Sequence, residues 1–170
     1  MKRLLLAVVL AVVAVAAWAQ WPNSPLPPTA HADKVVVRKS ARVLELYQGT
    51  QLLRTYRVSL GPHPAGHKQQ ESDGRTPEGR YLLDYRNPHS SFHLALHISY
   101  PAPADVANAK QHRLNPGGLI MVHGLHDGLG WLGRLHRFYD WTDGCVAVTD
   151  REIEEIWRAV PDKTPIVIEP

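Results

Sequence analysis

The chain has 170 residues, 44% of them apolar and 21% charged, a globular composition with room for one ordinary domain and a short leader or tail. Its formal net charge is +3, but Lys2 and Arg3 sit at the extreme N-terminus; without them 17 basic residues face 16 acidic ones, 17 − 16 = +1. That balance, with no long block of like charge, excludes a basic nucleic-acid footprint.

Lys2 and Arg3 precede an uncharged apolar run from Leu4 to Ala17, and Ala17-Trp18-Ala19 offers small residues to a signal peptidase. At roughly 14 residues the run suits a signal peptide over 1–19 and is shorter than the roughly 20 residues that cross a bilayer. The alternative is an N-terminal membrane anchor with Trp18 and Trp21 at the interface. Either one exports the working domain to the periplasm or cell envelope. Residues 20–33, with Pro22, Pro25, Pro27 and Pro28, read as a Pro-rich linker, and the domain is expected over 34–170.

Val35-Val36-Val37 and Val43 to Tyr47 are strand-like, Gln48-Gly49 is a turn, and Gln51 to Leu60 returns as the second arm of a hairpin. Gly61 to Gly74 is a long loop, and Thr76-Pro77-Glu78-Gly79 turns into a strand over Arg80 to Tyr85. Ser91 to Tyr100 alternates: Phe92, Leu94, Leu96, Ile98 and Tyr100 share one face, and His93, Ala95, His97 and Ser99 the other. Pro103 to Lys110 suits a short helix, and Gly118 to Val122 a short strand ending at His123. Gly124 to Asp140 is a Gly- and aromatic-rich loop with Trp131, Phe138 and Tyr139, which anchor the loop or cover the active site, and with Arg134 and His136 on a solvated surface. Thr149 and Glu152 form a capping box for a helix over Asp150 to Val160, with Ile153, Ile156, Trp157 and Val160 facing inward. Pro165 to Ile168 is a last strand. The fold class is mainly β, with one late α-helix and short helical segments.

Cys145 is the single cysteine of an exported chain, so no internal disulfide uses it. It is a reactive thiol, an intermolecular bridge or a buried inert side chain. It follows Gly144, which permits close backbone approach, and the neighbouring amides are placed to meet an oxyanion. A nucleophilic thiol needs a base and a lowered pKa, and His123, at a strand end before Gly124, is the candidate base. His93 and His97, four apart on a strand, are separated by roughly 13 Å, too far to share one ion. His123, His126 and Asp127 lack the second motif a zinc peptidase needs.

Val122-His123-Gly124 followed by Thr142-Asp143-Gly144-Cys145-Val146 resembles the signature of the YkuD-type L,D-transpeptidases, and Gly74-Arg75-Thr76-Pro77-Glu78-Gly79 resembles that family's upstream turn. The resemblance covers about Lys34 to Pro170. It implies a β-sandwich, no cofactor or metal, and peptidoglycan stem peptides as partner. Cys145 is implied as nucleophile, His123 as base, the Gly124 carbonyl as its orienting group, and the Gly144 and Cys145 amides as oxyanion hole. Arg75, His93, His97, Thr142 and Asp143 are the expected substrate contacts. Asp143 and Ala147 stand where many relatives carry cationic or amide groups, which places the chain near a divergent YafK-like branch. Some members of that branch detach a lipoprotein from peptidoglycan instead of cross-linking it. The competing expectations are therefore a transpeptidase, an amidase of the same family, and a non-catalytic envelope binding protein.

Overall fold

Val35, Val36 and Val37 are all buried, the pattern of a strand covered on both faces. In the computed structural model, which describes residues 1–21 and 24–170, they form β1 (Lys34–Arg38) near the middle of an eight-stranded sheet. The other strands are β2 (Val43–Gln48), β3 (Gln51–Arg57), β4 (Gly79–Ser90), β5 (His93–Ile98), β6 (Met121–His123), β7 (Val146–Ala147) and β8 (Thr164–Glu169). Their order is β3-β2-β1-β8-β4-β5-β6-β7. Beyond β3 the chain meets the far edge again: Ser59 and Ala147 exchange backbone hydrogen bonds of 3.0 and 2.9 Å. The sheet thus curls around one core, in which Leu44, Leu46, Tyr56, Leu83, Leu96, Ile98 and Ile166 meet Ile153 and Ile156 of a helix. This is the mainly-β architecture expected from the pattern of short strands.

The described residues include three α-helices: α1 (Lys2–Gln20), α2 (Pro103–Gln111) and α3 (Asp150–Ala159). The expected capping box starts α3, the Thr149 N–H donating to Glu152 Oε2 at 3.0 Å. α1 continues through Trp18-Ala19-Gln20 to 19 residues, longer than its uncharged run alone, and passes for a bilayer-spanning helix by length and composition.

Two segments differ from expectation for identifiable reasons. β4 extends to Ser90, well past Tyr85, because its polar second half pairs with β5 through irregular register near Leu83/Arg86 and Asn87/Ser90. The linker is not a free tether: Leu26 and Ala32 are buried, the Leu26 N–H donates to Glu155 Oε1 at 3.1 Å, and Arg158 donates to the Leu26 carbonyl. One apolar side chain among the prolines is enough to seat it. Pro22 lies outside the described residues.

Candidate active site

β6 and β7 run parallel with Val122 opposite Val146 and His123 opposite Ala147, which brings the end of one strand beside the residue that precedes the other. Cys145 sits just before β7, and the Met121 N–H donates to its Sγ at 3.3 Å. The thiol in turn contacts the Leu119 carbonyl at 3.6 Å. Cys145 and His123 both line one cavity of about 640 Å³, with Thr142, Asp143, Met121 and His126.

His123 is buried, and its Nδ1 lies 2.7 Å from the Gly124 carbonyl. A carbonyl only accepts, so Nδ1 carries the proton and Nε2 is left as a base. Burial pulls the imidazole down to about 4, the Gly124 bond opposing it only in part. Burial also pushes the Cys145 thiol up to about 11, although the Met121 N–H works in the other direction. The expected lowering of the thiol pKa is therefore absent. The resting pair is a neutral thiol and a neutral imidazole, because the charged form of each is poorly solvated here.

The backbone around the thiol is held from several sides. Gly144 has φ +115°, and a Cβ there would lie 2.3 Å from the Arg75 carbonyl oxygen, so glycine is required. Arg75 is presented by a pinned loop: buried Lys39 donates to the Gly66 and Thr76 carbonyls at 2.6 and 2.9 Å, and Asp73 accepts from the Arg75 N–H at 3.0 Å. On the other flank the Thr142 N–H donates to the Leu60 carbonyl, and the Leu60 N–H to Asp140 Oδ1. Thr142 Oγ1 donates to the Cys145 carbonyl at 2.7 Å and accepts the Gly144 N–H at 3.2 Å. The Gly144 amide, expected in the oxyanion hole, is thus engaged within its own turn.

Gly124 is held as closely. A Cβ at this position would stand 2.8 Å from Asp150 Oδ1 and 3.1 Å from the Phe92 carbonyl oxygen. Asp150 opens α3 and accepts the Leu125 N–H at 2.8 Å. It therefore fixes the residues that carry the orienting carbonyl, and leaves no room for a serine without displacement.

Arg75, His93 and His97 are not among the cavity's lining residues. Arg75 reaches the site through its backbone. His93 Nε2 pairs with Glu154 at 2.8 Å, and His97 Nδ1 pairs with Asp84 at 2.6 Å and stacks on Tyr85. Ala95, between the two histidines, is the residue β5 turns to the cavity. Among the described residues no group of three or more His, Cys, Asp or Glu side chains is placed to hold a metal.

Aromatic residues complete the site. Phe92 packs on His123 with ring centroids 4.6 Å apart, and Trp141 meets the same imidazole edge-on at 5.8 Å. The left-handed backbone of His93 (φ 65°) breaks the alternation where β5 begins, and Phe92 lines the cavity instead of joining the core. Trp141 stands next to the Thr142-Asp143-Gly144-Cys145 run, a signal available in the sequence. The Gly124–Asp140 loop contains a 3-10 segment, Gly130–Phe138, that buries His136 beside Ser59 and Trp141 instead of exposing it.

A cysteine and a tautomer-fixed histidine thus share one aromatic-walled cavity at the edge of a curled sheet. Residues 32–168 match the family "YkuD: L,D-transpeptidase catalytic domain", and the chain belongs to that family. It is 27% identical over 132 residues to YafK of Escherichia coli (strain K12), whose name assigns it provisionally to the L,D-transpeptidases; that stretch is 74% of this chain and 46% of the relative. Among solved structures, the helical cell shape determining protein Pgp2 from Campylobacter jejuni superposes with TM-score 0.60 at 24% identity, over 91% of this chain and 54% of that one. Bd1075 of Bdellovibrio bacteriovorus does so with TM-score 0.54 at 26% identity, over 82% and 48%. The chain spans about half the length of these relatives.

Proposed function

We propose that the protein is an exported cysteine acyl-transferase of the periplasm or cell envelope that acts on peptidoglycan stem peptides through a thioester at Cys145. Family membership supports the class of chemistry. The assignment to residues rests on one observation: the lone thiol shares its cavity with an imidazole whose proton is fixed on Nδ1. In the acylation step His123 Nε2 takes the thiol proton as Sγ attacks the stem-peptide carbonyl and the C–S bond forms. Because both groups rest neutral, transfer accompanies attack and no thiolate is stored beforehand. The oxyanion is met by the Cys145 N–H, and by the Gly144 N–H once it turns from Thr142 Oγ1. His123 returns the proton to the departing amine as the C–N bond breaks. An acceptor then attacks the thioester, gives its proton to His123 and restores the thiol.

The acceptor separates the two enzymatic readings: an amine gives transpeptidation, and water gives the amidase outcome that detaches protein from peptidoglycan. Asp143 on the cavity wall is not a group that holds a substrate carboxylate, which keeps the amidase as the second reading. Incubating the full chain with isolated sacculi, with and without linked lipoprotein, tests both. New cross-links between stems or exchanged terminal D-amino acids support the transpeptidase; released protein supports the amidase. Identical products from wild type and Cys145→Ala would leave only the non-catalytic envelope protein.

A further inference from the structure

Trp131, Phe138 and Tyr139, within and just after the 3-10 segment, are 66%, 75% and 68% exposed. Aromatic rings gain more from burial than almost any other side chain, and three exposed ones on one short segment mark a candidate interaction surface. Trp18, near the end of α1, extends it: its ring lies 6.5 Å from that of Phe138. Trp21, one residue beyond α1, is exposed as well.

α1 is joined to this segment by a fitted contact. A Cβ on Gly133 would lie 2.3 Å from the Ala19 carbonyl oxygen, so the two backbones meet at a distance only glycine allows. Gln20 Nε2 donates to the Trp131 carbonyl at 2.6 Å and to that of Gly130 at 3.3 Å, and Ala19 is buried. Away from this foot α1 is bare, with Leu4 through Val15 exposed. Between its charged start and this foot, Leu4 to Trp18 reach about 22 Å at the α-helical rise, enough to cross the hydrocarbon core only where the bilayer thins around a short span. Lys2 and Arg3 lie at the far end, where a positive-inside arrangement puts them in the cytoplasm and the folded domain outside. Trp and Tyr collect at the lipid–water boundary because one part of each ring system is apolar and another hydrogen-bonds.

We propose that α1 stays on the chain as a membrane anchor and that the segment bearing Trp131, Phe138 and Tyr139, with Trp18 against Phe138, rests in the phospholipid interface. The catalytic cavity is then held in a fixed orientation beside the bilayer, since Leu129 both lines that cavity and leads directly into the 3-10 segment.

The lone cysteine makes the test direct. In the full-length Phe138→Cys/Cys145→Ser variant an environment-sensitive fluorophore is attached at position 138, and a companion Lys110→Cys/Cys145→Ser variant carries it on α2. Both are reconstituted in phosphatidylethanolamine/phosphatidylglycerol vesicles containing lipids brominated high on the acyl chains. The expected result is quenching at position 138 at least about twofold stronger than at 110, as for a ring seated at the headgroup–acyl boundary. Intact mass of the protein extracted from membranes is expected to include residues 1–19. Equal quenching at the two positions, or a chain beginning after Ala19, overturns the proposal. A label at 138 that is shielded from water but insensitive to bromine would assign the segment to a protein partner and overturn the proposal equally.

Discussion

Acidification should unfold this protein through two buried imidazoles, and the size of the effect follows from their surroundings. Burial is the main cause for both: it holds His123 at about 4 and His136 at about 3, against 6.5 when exposed, with Arg137 and then His123 adding to the depression at His136. For a histidine with a depressed folded-state pKa, the unfolded chain binds protons more tightly. Stability is therefore full above 6.5 and is lost as pH falls from 6.5 toward 4 for His123 and toward 3 for His136. At 1.36 kcal/mol per pH unit, each site removes about 2.5 kcal/mol by pH 4.5, or about 5 kcal/mol together. That equals much of the ~5–15 kcal/mol that holds a typical domain together. With a urea m-value of about 2 kcal/mol/M, the midpoint should fall by about 2.5 M between pH 8 and pH 4.5. The assay is urea unfolding of the full chain in a mild non-ionic detergent, followed by tryptophan fluorescence. His136→Gln removes one of the two sites, so its midpoint should fall by only about half as much. Equal falls in wild type and His136→Gln would mean that His136 is not one of the groups whose protonation unfolds the chain.

Other consequences are equally specific. Gly144→Ala forces a Cβ to within 2.3 Å of the Arg75 carbonyl oxygen at a φ of +115°. It should cost about 3 kcal/mol and lower Tm by roughly 6–12 °C, measured by calorimetry. With the thiol raised to about 11 by burial, iodoacetamide should alkylate Cys145 at pH 7.5 about tenfold to hundredfold more slowly than free cysteine. The rate should climb steadily to at least pH 10, and a plateau by pH 8 would contradict the neutral-pair assignment. Asp150→Ala frees the Leu125 N–H and loosens the Gly124 carbonyl. It should lower turnover by about tenfold or more while Asp150→Asn, which keeps an acceptor oxygen, retains most of it.

Much of the candidate site is legible because its residues lie in short runs. Thr142-Asp143-Gly144-Cys145 and Val122-His123-Gly124 each sit on a strand edge, and the parallel pairing of β6 with β7 brings them together. Gly144 and Gly124 were legible for the same reason, since a glycine beside a nucleophile or base implies backbone crowding. What the chain order concealed was side-chain direction. His93 and His97 share a strand face with Ala95, yet each has a carboxylate closer at hand, in Glu154 and Asp84. Phe92 looked like one more core residue in an alternating strand until the left-handed His93 turned it into the cavity. The thiol's raised pKa was also hidden, because solvation depends on what covers the sulfur and not on its neighbours in sequence. The contact between α1 and Gly133 joins segments more than a hundred residues apart, with no pattern in either to announce it.

In the proposed reaction Cys145 forms a thioester with a peptidoglycan stem peptide and His123 moves the proton. Intact-protein mass spectrometry after rapid acid quenching of the full chain mixed with sacculus-derived stem peptides tests it most directly. Wild type should gain the mass of one acyl fragment, mapped to Cys145 and released by hydroxylamine, with far slower formation in His123→Ala and none in Cys145→Ser. No adduct on wild type under turnover, or an adduct on another residue, would mean that Cys145 is not the nucleophile.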